Sequence, residues 1–222
     1  MIKQLAPSMM CCDFINLNQQ IKIFEQKNIE YLHIDVMDCS FVPNYTLGTD
    51  FVKTLHKATN IPLDLHLMID RPEDKIDWFE LHPNDIVSVH YEATKHLQRT
   101  LQRIKNAGAK AMVALNPATP VCMIEDVLDD IYALLIMTVN PGYAGQKLIP
   151  SCLDKIARTR AFLDQHGRKD ILIEVDGNVS FENAKLMSSA GANIFVTGTS
   201  AIFGRENLEP AIDEFRNEIF TK

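Results

Sequence analysis

Short apolar or β-branched runs alternate with longer amphipathic stretches along the whole 222-residue chain, and no other feature limits its fold as tightly. The runs fall at 4–8, 31–37, 63–68, 86–90, 111–115, 134–139, 171–175 and 194–197, which makes eight strands. Between them the spacing turns helical. Leu97, Leu101 and Ile104 share one stripe of a helix expected over 94–107, with Gly108 just past its end. Thr119-Pro120 reads as a helix start, a capping hydroxyl followed by proline at the first helical position. Ser180 opens another helix that Gly191 closes, and 208–220 is the last. Strands joined through helices pair in parallel. Eight such units of about 28 residues each match a compact closed barrel. The expected fold class is α/β, a single-domain (β/α)8 TIM barrel over residues 1–222 with no Pro/Gly-rich linker. A doubly wound open sheet would carry a glycine fingerprint after an early strand, and Pro7-Ser8-Met9 offers none.

Charge and cysteine usage narrow the partners. With 22 basic and 29 acidic side chains the formal charge is −7, which argues against nucleic acid or an anionic membrane surface, both of which need a clustered basic face. No apolar run approaches the ~20 residues that span a bilayer. Met1-Ile2-Lys3-Gln4 lacks a signal-peptide layout, since Pro7-Ser8 and Asp13 interrupt the apolar stretch. The cysteines, Cys11, Cys12, Cys39, Cys122 and Cys152, are odd in number and form no C-x-x-C pair. A reduced, cytoplasmic protein is expected, without a nucleic-acid or membrane partner and assembled as a homo-oligomer.

In a barrel of this kind function belongs to the C-terminal ends of the strands. The second strand reads Tyr31-Leu32-His33-Ile34-Asp35-Val36-Met37, so His33, Asp35 and Met37 share one face and the aliphatic residues the other. The third, Leu63-Asp64-Leu65-His66-Leu67-Met68, repeats the pattern, and the seventh ends Ile173-Glu174-Val175-Asp176-Gly177. If these faces point inward, His33, Asp35, His66 and Asp176 converge. Taken singly, each is more often a satisfied core group. Four together are harder to dismiss, because carboxylates buried without a cation are strongly disfavoured. Two imidazoles and two carboxylates suit one divalent ion of borderline softness, Zn2+, Fe2+, Mn2+ or Co2+.

A second cluster reads as an anion site. Asn140-Pro141-Gly142-Tyr143-Ala144-Gly145-Gln146 follows the sixth strand, Asp176-Gly177-Asn178 the seventh, and Gly198-Thr199-Ser200 the eighth. Barrels often bind phosphate with the last two of these loops and the N-terminus of a short extra helix, here expected at Ala201-Ile202-Phe203. In an acidic protein such binding depends on local amides rather than on bulk charge.

These motifs resemble the ribulose-phosphate 3-epimerase family over essentially the whole chain. The resemblance rests on Ala6-Pro7-Ser8, His33-Ile34-Asp35-Val36-Met37-Asp38 followed by Phe41-Val42-Pro43-Asn44, Asp64-Leu65-His66-Leu67-Met68 and His90-Tyr91-Glu92. It extends through Ala114–Pro120, Met137–Gly142 with Gly145-Gln146, and Glu174-Val175-Asp176-Gly177. It implies that Ser8 lies at the substrate and that His33, Asp35, His66 and Asp176 hold the metal, with His66 also touching substrate. It further implies that Asp35 and Asp176 are the two acid/bases, that Met37, Met68 and Met137 line the reacting centre, and that the substrate is a small-molecule sugar phosphate. The other substrate-binding positions expected are Gly142, Tyr143, Ala144, Gly145, Gly177, Asn178, Gly198, Thr199 and Ser200.

Some positions depart from the usual pattern. Cys39-Ser40 replaces a larger pair, Asn178 a glycine, and Met9-Met10-Cys11 a more usual Ile/Leu-Leu-Ser. The Met-Cys element and Gly198-Thr199-Ser200 are closer to an allulose-6-phosphate 3-epimerase branch; His90–Thr94 and Ala114–Pro120 are closer to the pentose branch. The bulk of Asn178 beside the phosphate is expected to shorten the slot and favour D-ribulose 5-phosphate over the hexulose phosphate. An orotidine-phosphate decarboxylase-like reaction would need a lysine between paired aspartates, and only Val36-Met37 separates Asp35 from Asp38. A non-catalytic phosphosugar-binding barrel would be expected to have lost one of the four ligands.

Overall fold

Eight parallel strands curl until the first meets the second. In the computed structural model, which describes residues 2–221, they are β1 (Gln4–Pro7), β2 (Leu32–Asp38), β4 (Leu63–Met68), β5 (Ile86–His90), β6 (Lys110–Leu115), β7 (Ala133–Met137), β8 (Leu172–Asp176) and β9 (Ile194–Thr197). Met1 and Lys222, the ends of the expected domain, lie outside the described residues. Pairing runs β1-β9-β8-β7-β6-β5-β4-β2, and a parallel bridge from Ser8 to His33 closes the ring. This is the barrel that the alternation predicts. One strand was not expected: β3 (Tyr45–Thr46) pairs antiparallel with the end of β2, and two residues are too few to show a period.

Helices α1 (Leu17–Gln26), α2 (Thr49–Ala58), α3 (Leu97–Asn106), α4 (Ser151–Gln165), α5 (Phe181–Ser189) and α6 (Leu208–Ile219) cover the outside. Two expected starts turn out differently. Pro120 caps rather than begins its element, which is a 3-10 stretch (Val121–Asp130), because the Thr119 hydroxyl bonds Glu92 instead of a helix N–H. Ala201-Ile202-Phe203 is a run of turns, not a helix; Ala201 N–H and Phe203 N–H both return to the Gly198 carbonyl. Ser180 does cap α5, its oxygen accepting from Asn183 N–H at 3.2 Å. Strand β7 ends two residues short of the expected 139, because Thr138 turns to bond the Asp176 carbonyl through both its N–H and its hydroxyl.

The two-residue period sorts the strands into two cores. Leu32, Ile34, Val36, Leu65 and Leu67 join the layer between barrel and helices. Ala6, Met112, Ala114, Leu135, Met137 and Val196 fill the interior on one side of the ring. On the other side the interior is polar: His33, Asp35, Asp64, His66, Ser88, His90 and Glu174 are all buried. Register stacks them in layers, His33 beside Asp64, Asp35 beside His66 and Met37 beside Met68. No helix among the described residues is long and apolar enough to cross a membrane.

Candidate active site and metal centre

Four donor atoms meet where the polar side of the barrel opens at its C-terminal end. One atom each from His33, Asp35, His66 and Asp176 lie within 4.8 Å of one another. His33 Nε2 is 3.4 Å and His66 Nδ1 3.5 Å from Asp35 Oδ1, and His66 Nδ1 is 3.6 Å from Asp176 Oδ2. Neither of those ring nitrogens has a hydrogen-bond partner, although both are buried. Orphaned buried nitrogens are costly, and an ion between them removes the cost. Metal–ligand bonds of ~2.1 Å in tetrahedral array put neighbouring donors ~3.4 Å apart, close to the His33–Asp35, His66–Asp35 and His66–Asp176 separations of 3.4, 3.5 and 3.6 Å. The residues fit a divalent ion.

The opposite nitrogen of each ring is held. Asp64 Oδ2 lies 2.5 Å from His33 Nδ1, and His90 Nε2 lies 2.8 Å from His66 Nε2. Such partners fix tautomer and ring orientation. Ser8 donates its hydroxyl to Asp35 Oδ2 at 2.6 Å. Burial opposes charge on His33, but Asp64 and Asp35 outweigh it and hold its pKa well above the ordinary imidazole value. Burial likewise opposes the Asp35 carboxylate, yet the adjoining His33 and His66 keep its pKa well below normal. Asp176 goes the other way: burial, then the charge of Asp35, raises it. Glu174 is pushed up further, by burial and by Asp64. Burial lowers His90 to about 4 despite Glu92 beside it.

Above this floor lies a cavity that opens to solvent. Its lining includes Ser8, Met37, Met68, Met137, the Gly142-Tyr143-Ala144-Gly145 turn, Gly177-Asn178 and Gly198-Thr199-Ser200, all expected from sequence, together with Asp35 and Asp176. His33 and His66 are at the metal cluster but not on the cavity wall; His66 sits behind the carboxylates rather than also facing the cavity. Among the described residues no lysine or arginine lines the cavity. Asn44 ties the loop after β2 to the loop after β7 through the Gly142 carbonyl at 2.8 Å.

Two expectations concern shape. Asn178 lines the cavity, but its side-chain oxygen is turned to its own loop, taken by Asn183 Nδ2 at 2.8 Å and by Leu148 N–H. It replaces glycine because its backbone is left-handed, φ +49°, a conformation asparagine tolerates. Cys39-Ser40 opens no room; both are exposed and outside the cavity lining. Sequence reasoning also missed Met10, Cys11 and Val139 on the wall and the supporting roles of Asp64, His90, Glu92 and Glu174. Only the inward parity of Asp64 and Glu174 was there to find.

Known proteins match both fold and motifs. The barrel superposes on a KGPDC from Streptococcus mutans at TM-score 0.68 and 15% identity, covering 99% of this chain and 98% of that one. It superposes on orotidine 5'-phosphate decarboxylase from Pyrococcus horikoshii OT3 at TM-score 0.63 and 15% identity, over 99% and 100%. At such identities the likeness is one of fold alone. Sequence says more. The Bacillus subtilis (strain 168) ribulose-phosphate 3-epimerase is 50% identical over 216 residues, 97% of this chain and 99% of its own length. The Escherichia coli (strain K12) ribulose-phosphate 3-epimerase is 40% identical over 217 residues, 97% and 95%. The chloroplastic ribulose-5-phosphate-3-epimerase of Arabidopsis thaliana is 45% identical over 210 residues, 94% and 74%. The model of the ribulose-phosphate 3 epimerase family matches residues 4–203, which span every ligand and every cavity loop described above. The chain belongs to the ribulose-phosphate 3-epimerase family.

Proposed function

We propose that the whole chain, as one barrel domain, interconverts D-ribulose 5-phosphate and D-xylulose 5-phosphate by two-base proton transfer at C3. The observation that carries this reading is the pair Asp35 and Asp176, two carboxyls that line the cavity beside two orphaned imidazole nitrogens. Inversion at a carbon next to a carbonyl removes a proton from one face and returns one to the other. A single carboxyl cannot serve both faces of the planar enediolate, so two are needed.

His33, Asp35, His66 and Asp176 would hold a divalent ion, with Zn2+, Fe2+, Mn2+ or Co2+ suited to the mixed nitrogen and oxygen donors. Such an ion supplies a Lewis acid that stabilises the negative charge developing on the sugar oxygens. One of the two carboxyls, Asp35 or Asp176, accepts the C3 proton while the other delivers a proton to the opposite face, and the reverse reaction exchanges the roles. Ser8, donating to Asp35 Oδ2, leaves Oδ1 as the oxygen turned to the ligand cluster. Met37, Met68 and Met137 line the cavity with polarisable apolar surface and exclude water from the enediolate. The phosphate is read by the amides of Gly177, Asn178, Gly198, Thr199 and Ser200, since no cationic side chain among the described residues lines the cavity. The turn at 142–145 covers the sugar.

The protein works in the reducing cytoplasm, its cysteines remaining free thiols as they are here, and as a homo-oligomer. Exposed Phe14 and Ile15 supply apolar surface for a second copy. The substrate is tested by competing D-ribulose 5-phosphate against D-allulose 6-phosphate in one assay. The pentulose should be preferred in kcat/KM by ~10–200-fold, the usual scale for a one-carbon mismatch in a packed site. Preference for the hexulose would overturn the substrate while leaving the two-base chemistry standing.

A further inference from the structure

The two imidazoles at the metal cluster are supported unequally. His33 meets a carboxylate directly, Asp64 Oδ2 at 2.5 Å from its Nδ1. His66 meets a second imidazole, and only that one meets a carboxylate: His66 Nε2 is 2.8 Å from His90 Nε2, and His90 Nδ1 is 3.3 Å from Glu92 Oε2. The ring centroids are 5.0 Å apart, the separation of two imidazoles that meet nitrogen to nitrogen. His66 and His90 are fully buried, and the Phe41 ring lies 4.7 Å from that of His90.

Two nitrogens 2.8 Å apart share one hydrogen, and which ring owns it decides what His66 shows to the metal cluster. With the hydrogen on His66 Nε2, its Nδ1 is a bare lone pair aimed at Asp35 and Asp176. With the hydrogen on His90 Nε2, neutral His66 carries its own on Nδ1, which blocks ligation. His90 alone cannot settle the choice, but Glu92 can. A carboxylate oxygen at His90 Nδ1 only accepts, so it draws the His90 proton to Nδ1 and leaves Nε2 as the acceptor for His66. Glu92 is itself fixed, Oε1 accepting from Asn116 N–H at 2.9 Å and from the Thr119 hydroxyl.

We infer that Glu92 is a positioning residue which, through His90, holds the His66 proton on Nε2 and keeps the Nδ1 lone pair turned to the metal cluster. The inference rests on the metal-site reading above.

Glu92→Gln reverses the relay rather than merely removing it. An amide nitrogen cannot accept from Asn116 N–H, so the glutamine oxygen must take that place and its NH2 must face His90. His90 then accepts at Nδ1, donates from Nε2, and drives the His66 proton onto Nδ1. Long-range proton–nitrogen NMR spectra of the chelator-treated wild-type protein should show His66 as the Nε2–H tautomer and His90 as the Nδ1–H tautomer. E92Q should show both reversed, with Zn2+ affinity in chelator competition lowered ~10–100-fold, the usual cost of losing a partner behind a metal ligand. A wild-type His66 in the Nδ1–H form would overturn the inference, and needs no variant that folds. So would E92Q with unaltered tautomers and Zn2+ affinity within twofold of wild type. His66→Ala in parallel separates the two readings: if it binds Zn2+ as tightly as wild type, the metal site itself is misassigned, whatever the tautomers show.

Discussion

Asp176→Asn is expected to lower kcat for epimerisation about 10²–10⁴-fold, the range that a positioned acid/base supplies, while the barrel stays folded. The amide neither accepts the C3 proton nor returns one, and it is a poorer ligand than a carboxylate. Folding should not suffer. Burial and the charge of Asp35 raise the Asp176 pKa above its unfolded value, so in chelator-treated protein the ionised carboxylate costs stability at neutral pH. That cost is absent below the unfolded pKa, where the acid is protonated in both states, and grows as pH rises past it. The neutral isostere removes it, and the variant's thermal midpoint at pH 7 should match or exceed wild type under the same conditions. Solvent exchange separates a lost base from a lost ion. In deuterated water the epimer whose proton Asp35 removes should still exchange at C3 without inversion, and the other epimer should not exchange. Near-normal kcat, or exchange of both epimers at wild-type rates, would sink the two-base assignment.

The four residues of the candidate metal site were legible because strands convert sequence parity into geometry. Once β2 and β4 are strands, His33, Asp35, Asp64 and His66 all face one way, and barrel closure makes that way inward. What lay beyond sequence was register. That Asp64 stands beside His33 rather than beside Asp35 follows from how β2 and β4 slide past each other, and it decides which carboxyl is a ligand and which a support. His90 was visible as the end of β5 but not as the partner of His66, because a 2.8 Å contact between side chains is a tertiary fact.

The misreadings have different causes. Thr119 reads as a cap by local propensity, Ala201 as a helix start by analogy with other barrels and Asn178 as bulk by its place beside the phosphate, and in each the hydrogen bonds run elsewhere. The Thr119 hydroxyl went to Glu92, 27 residues away. The Asn178 amide oxygen went to Asn183 and Leu148, so a residue expected to fill the slot also holds the loop's shape. Local polar chemistry proposes a cap or a plug; the hydrogen bonds and close contacts made across the fold decide.

That competition is sharpest at Gly177, where Gly177→Ala is expected to disable the enzyme without touching an acid/base or a ligand. The residue joins Asp176 to Asn178, with φ +113°, a backbone that side chains rarely adopt. A Cβ there would stand 2.6 Å from Val139 Cγ2 and 2.9 Å from Thr138 Oγ1. Thr138 cannot retreat easily, because its hydroxyl bonds the carbonyls of both Asp176 and Gly177. The strained backbone costs about 1–3 kcal/mol, and overpacking against Val139 adds about 1–3 kcal/mol. Either the barrel loses that stability or the loop shifts outward to recover it, carrying the Asp176 carboxyl and the Asn178 amide with it. A displacement of about 1 Å at a reacting group is worth ~10²-fold, so kcat/KM should fall by at least that much. Gly108→Ala is the control: φ +91° imposes comparable backbone strain, but a Cβ there meets nothing within 4 Å and Gly108 lies outside the cavity lining. It should lose stability and keep wild-type kcat/KM. Calorimetry and steady-state kinetics on the two variants decide the matter. Equal activity losses in both would show that strain anywhere in this barrel is enough, and that the close approach of Gly177 to Val139 has no special part in placing Asp176.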